Sequence, residues 1–140
     1  MVILEGCDAV GKTSTIEILK NNMGINCSDR SKDVFSKYMV ESVSLKERAR
    51  IYFEYLSIHD NMVIFLINND KEELERRINL RPIKNEFDEK AYFYNQLYQE
   101  TFKYMEENDM LNNRLFLVDV TGLSLEEQAN KVKETILCQV

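Results

Sequence analysis

At 140 residues, 44% hydrophobic and 30% charged, the chain is long enough for one domain with its own core and too apolar to be disordered. A net charge of -6 excludes wholesale binding of DNA or RNA, which needs a basic face, but leaves room for a nucleotide site, which needs only a few local cations. The three cysteines (Cys7, Cys27, Cys138) follow no zinc or disulfide spacing, the longest apolar run is far too short to span a bilayer, and no leader is expected before the first strand. The expectation is a cytoplasmic protein with neither a nucleic-acid polymer nor a membrane as partner.

The chain opens on Met1-Val2-Ile3-Leu4, which is short, apolar and β-prone. Gly6-Cys7-Asp8-Ala9-Val10-Gly11-Lys12-Thr13 follows and fits G-x-x-x-x-G-K-[ST], the Walker A pattern. A helix is expected from Lys12 to Met23, stopped by Gly24. Strand, glycine loop and helix start are what a phosphate cradle requires. Gly6 and Gly11 admit backbone angles that a side chain would obstruct, and successive N–H groups turn inward as an anion nest at a helix N-terminus. Gly6, Asp8, Ala9, Val10, Gly11, Lys12, Thr13 and Ser14 are therefore the candidate binding residues for a nucleotide such as ATP. Lys12 can reach the β- and γ-phosphates, and the Thr13 hydroxyl can bind Mg2+.

Ile25-Asn26-Cys27-Ser28 reads as a short second strand that ends in Asp29-Arg30-Ser31, and Val34 to Val40 as a short helix or turn. Ser44 and Glu47 form a capping box, opening a helix with Leu45, Ala49, Tyr52, Phe53 and Leu56 on one face. His59 ends that helix, a place suited to meeting the helix dipole rather than to catalysis. Met62 to Ile67 lacks polar alternation, as does a strand buried on both faces of a parallel sheet. Asp70 and Glu73 cap the next helix, and Pro82 limits its continuation. Arg76, Arg77, Arg81 and Lys84 concentrate positive charge in an otherwise acidic chain, where a nucleoside triphosphate would need it.

Phe87 to Glu107 reads as a long helix, with Phe93, Leu97, Thr101 and Tyr104 on one stripe and Tyr94, Tyr98 and Phe102 beside it. Such a stripe is expected in the core rather than as a base-stacking shelf. Leu115 to Val120 is the last strand. Ser124 and Glu127 cap the last helix, with Leu125, Ala129, Val132, Ile136 and Leu137 facing inward. The order β-α-β-α-β-α-α-β-α, with no repeat or linker, predicts a single domain over residues 1–140. Its expected fold is a three-layer α/β/α P-loop NTPase with a short, mainly parallel sheet of about four strands. Such a site needs a second acid near Mg2+. Asp29, Asp70 and Asp119 each follow an apolar run; Asp70 already serves as a cap and Asp29 stands beside Arg30, but pattern alone leaves the choice open.

The chain resembles the thymidylate kinase and deoxynucleoside kinase group of P-loop kinases. Leu4-Glu5-Gly6 through Lys12-Thr13-Ser14 resembles the group's LEGxDGxGKTT opening, and Asp29-Arg30-Ser31 its D/E-R-[YFS] motif. Leu74-Glu75-Arg76-Arg77-Ile78 with Arg81 resembles the helix that runs into the group's lid, here about residues 77–88. Val118-Asp119 and Ser124 to Glu127 resemble its last strand and helix. The resemblance spans nearly the whole chain in the correct order. It implies a kinase that uses ATP and Mg2+ to phosphorylate a small nucleotide. Lys12 and Thr13 would hold triphosphate and metal, Asp29 would act beside the metal, and Arg30 would bind the acceptor's phosphate. Asp8 would touch the acceptor, and Arg77 and Arg81, with Lys84, would close over the transferring phosphoryl. Two departures stand out: Ala9 occupies a position where the group commonly has glycine, and only Gly24 to Ser28 separate the first helix from Asp29, where the group has a further strand and helix. The acceptor side is thus cut down, which fits a small acceptor, completion by a second copy in a homodimer, or loss of transfer.

Overall fold

The computed structural model describes residues 1–7, 9–29, 38–82 and 90–138. Among these are four strands, β1 (Val2–Gly6), β2 (Cys27–Asp29), β3 (Met62–Ile67) and β4 (Leu115–Asp119). Five helices accompany them: α1 (Lys12–Met23), α2 (Leu45–Ile58), α3 (Lys71–Asn79), α4 (Ala91–Glu107) and α5 (Leu125–Leu137). The sheet is all-parallel in the order β2-β1-β3-β4.

This order follows from the crossovers. From β1 the chain moves one way, through α1 to β2; it then returns past β1 and continues the other way to β3 and β4. A right-handed connection places its helix on opposite faces for opposite directions. Accordingly α1 packs against α5, while α4 packs against α2 and α3. The mixed α/β fold is compatible with a three-layer α/β/α arrangement. β3, inside the sheet, is buried from Val63 to Ile67, as its unbroken apolar run predicts. Each such side chain contributes about 1.5–3 kcal/mol by leaving water.

Local signals in the sequence set the helix starts. Ser44, Asp70 and Ser124 each accept a hydrogen bond from the N–H three residues on, and Ser124 with Glu127 completes a reciprocal capping box. α1 ends at Gly24 with a left-handed backbone. The expected short element from Val34 falls largely outside the described residues, as does the start of the helix expected from Phe87.

The buried faces of three helices differ from expectation. On α2, Ala49, Tyr52 and Leu56 are buried, but Phe53 is exposed and Leu45 only half-covered. Arg48 enters the face instead, donating to Thr101 Oγ1 at 3.3 Å and to the Val40 and Val43 carbonyls. On α4 the buried face is Ala91, Tyr94, Asn95, Leu97, Tyr98, Thr101 and Met105, leaving Phe93 40% exposed. Asn95 turns the helix this way: its Oδ1 accepts the Asn68 N–H at 2.8 Å, just past β3. On α5, Leu125 and Leu137 are exposed at the two ends, and Gln128 is buried. A further polar contact joins sheet to helix. The Tyr52 hydroxyl donates to Glu5 Oε2 at 2.7 Å within the core. Burial, then the Glu5 carboxylate, push the Tyr52 phenol well above its ordinary value, so it stays protonated and donating.

Candidate functional site

The carboxyl ends of all four strands point to one edge of the sheet, where Gly6 pairs with Leu66 and Leu4 with Asp29. The direction of winding reverses between β1 and β3, and in open parallel sheets ligands bind at such a point. Between Gly6 and α1 the described residues Cys7 and Ala9 to Gly11 form a turn. Within the turn the Val10 N–H donates to the Cys7 carbonyl at 3.4 Å. Glycine is required at both ends of the turn. A Cβ on Gly6 would stand 2.8 Å from the Leu66 carbonyl oxygen. At Gly11, with φ +93°, it would stand 2.8 Å from Gln128 Nε2 and 2.9 Å from Leu125 Cδ2. Ala9 is also left-handed, with φ +68°, a conformation that costs an alanine about 1–2 kcal/mol.

Two consecutive carbonyls of the turn are held from outside. Arg77 Nη1, from α3, donates to the Ala9 carbonyl at 3.2 Å, and Gln128 Nε2, from α5, donates to the Val10 carbonyl at 3.2 Å. α1 itself begins with no side-chain cap and no acidic residue in its first turn. The first N–H groups of a helix lack intrahelical partners and carry its positive end, so this start favours an anion.

Beside it lies a cleft of about 460 Å³, lined by Cys7, Ala9, Gly11, Lys12, Thr13, Ser14, Asp29, Arg76, Arg77, Arg81 and Leu125. Four cations face one carboxylate among these residues, the reverse of the chain's overall balance. Lys12 is only 7% exposed, and its Nζ lies 3.0 Å from Asp29 Oδ1, whose side chain is 57% exposed. Lys12, Thr13 and Ser14 thus meet Asp29, from the end of β2, in one cleft. Arg77 and Arg81 line the same cleft. Glu73 anchors the arginines of α3: it accepts from Arg76 Nη2 at 2.6 Å and from Arg77 Nε at 3.0 Å. The Arg76 hydrogen bonds, then those of Arg77, hold its carboxyl down at about 2.

The rival acids are occupied elsewhere. Asp119 Oδ1 accepts the Thr121 N–H at 2.9 Å and the Thr121 hydroxyl at 2.6 Å, closing its own turn. Asp70 caps α3. Asp8, Arg30 and Lys84 lie outside the described residues. No cluster of three or more His, Cys, Asp or Glu that could hold a metal occurs among the described residues. The Thr13 hydroxyl and Asp29 carboxylate are hard oxygen donors in one cleft, a set that suits Mg2+, which takes one or two protein ligands and completes its shell with phosphate and water.

Leu125 lines this cleft and Gln128 holds its turn through the Val10 carbonyl, and neither was expected there. Gln128 carried a legible signal: it is a polar residue on the apolar stripe of α5, one turn before Val132. Leu125 carried the opposite one, since an apolar residue at a helix start reads as core. No helix of the described residues is long and apolar enough to cross a membrane. Compared with protein-family models and with curated proteins, the chain matches none of the models and none of those proteins.

Proposed function

We propose that the chain is a small P-loop nucleotide kinase that transfers the γ-phosphoryl of ATP, with Mg2+, to a nucleoside monophosphate such as dTMP or to a deoxynucleoside. The observation that carries this reading is the meeting of Lys12 and Asp29 at an uncapped helix start, in a cleft whose other charged lining is arginine. The N–H groups of residues 9–14 cradle the phosphates, and the Lys12 ammonium leaves Asp29 for the β- and γ-phosphate oxygens. Thr13 and Asp29 are the residues that would hold Mg2+, which when bound neutralises phosphate charge. Arg77 and Arg81, with Arg76 beside them in the cleft, supply further positive charge to the transferring group, and Arg30 is assigned to the acceptor's phosphate on the family resemblance alone. Such a transfer asks little covalent chemistry of the protein; positioning and charge account for most of the acceleration.

The short connection from Gly24 to Ser28 favours a second reading, in which the chain binds a nucleotide without transferring phosphoryl or serves a different small acceptor. Incubating the purified protein with ATP and Mg2+ against a panel of nucleosides and monophosphates decides between them. With an acceptor in hand, Arg81→Ala should lower kcat roughly a hundredfold or more while shifting ATP affinity much less, because charge placed for the transition state acts mainly there. Weakened ATP binding at unchanged kcat would make Arg81 a donor anchor, and ATP binding with no acceptor phosphorylated would establish the second reading.

A further inference from the structure

We infer that Gln128 is a positioning residue for the anion cradle, which it presets from behind through the Val10 carbonyl. The inference rests on the reading of the cleft as a triphosphate site. Gln128 is fully buried on α5, more than a hundred positions from the turn it serves. Its Nε2 donates to the Val10 carbonyl at 3.2 Å and to Thr15 Oγ1 at 3.3 Å, spanning the turn and the first turn of α1. The same amide packs where a Cβ on Gly11 would stand. Pulling the Val10 carbonyl outward fixes the peptide plane between Val10 and Gly11, and so turns the next N–H toward the cleft. Arg77, which itself lines the cleft, holds the preceding carbonyl, that of Ala9. The Val10 carbonyl would otherwise be able to rotate inward and present a negative dipole to an anion.

The amide is oriented by its donors, and this leaves its Oε1 buried without a hydrogen-bond partner among the described residues. A buried acceptor left unpaired is a cost that an apolar side chain at this position would avoid. Retaining it is expected of a group kept for binding rather than for stability.

Three variants test this: Gln128→Met, which keeps length but removes the donor; Thr15→Val, which removes the second acceptor; and the double variant. For each, three quantities are measured: affinity for ATP-Mg2+ by calorimetry, the unfolding temperature, and hydrogen exchange of the peptide spanning residues 7–15 without nucleotide. Gln128→Met should weaken ATP-Mg2+ roughly tenfold or more, the scale of one lost hydrogen bond at a preorganised site. It should also speed exchange in the turn while the unfolding temperature stays within about 4 °C. Thr15→Val should do less, and the double variant no more than Gln128→Met alone, because both act on one amide. Unchanged affinity and exchange, additive effects, or a loss of affinity that only tracks a collapse in unfolding temperature would overturn the assignment. If the wild type does not bind ATP-Mg2+ at all, the kinase reading fails by itself. The exchange and melting comparisons then decide whether Gln128 sets the turn.

Discussion

Ala9 occupies a backbone conformation that glycine takes at no steric cost, so its substitution is informative in both directions. Ala9→Gly removes the left-handed strain but adds freedom to the unfolded chain, and the two effects, each about 1 kcal/mol, nearly cancel. Ala9→Val puts a β-branched side chain at φ +68° and should destabilise by more than about 1 kcal/mol. Urea unfolding of the two variants checks this; equal stabilities would mean that the turn relaxes when its residue changes. At this scale the sequence was legible where one residue carries its own chemistry. Gly6 and Gly11 are such residues, because a Cβ at either would stand within 3 Å of its neighbours. The choice among Asp29, Asp70 and Asp119 could not be made from spacing, because each follows an apolar run. In the structure Asp29 faces Lys12, Asp70 caps a helix and Asp119 accepts from Thr121.

Helix α3 brings the arginines to the cleft, and Glu73 is the residue that ties them to it. Its carboxyl sits at about 2 in the folded chain against an ordinary 4.5. The folded state therefore holds this proton more weakly than the unfolded state. The stabilisation from ionised Glu73 is fully present above about pH 4.5 and is lost as pH falls through about 2. Wild type should lose more stability than Glu73→Gln between those limits, read as urea midpoints at a series of pH values. Parallel curves would show that the Glu73–arginine contacts do not differ from water in their effect. Helix starts and stops were legible because caps and C-terminal glycines act locally. Helix faces were less so, for a reason common to α2, α4 and α5. Arg48, Asn95 and Gln128 each enter the packed face to satisfy backbone carbonyls or N–H groups of another segment. A hydrophobic periodicity counts only apolar residues and so gives such polar ones no place in the core. On α4 it therefore places Phe93 inward when Asn95 holds the position.

Across the whole molecule, the parallel sheet follows from alternating elements, short loops and right-handed crossovers, all of which the sequence carries. What it does not carry is distance between segments: that α5 braces the glycine turn, or that α3 reaches Ala9, is decided by packing across more than sixty residues. Among the described residues, an acidic chain thus gathers four cations and one carboxylate around a cleft, a balance that attracts anions. The central claim is that this cleft binds nucleoside triphosphate through Lys12. Its most direct test is calorimetric titration of wild type and Lys12→Ala with ATP in the presence of Mg2+. Wild type should bind, and Lys12→Ala should bind at least about thirtyfold more weakly, corresponding to about 2 kcal/mol for a charge-assisted phosphate contact. Failure of the wild type to bind, or equal affinities for the two proteins, would contradict the assignment.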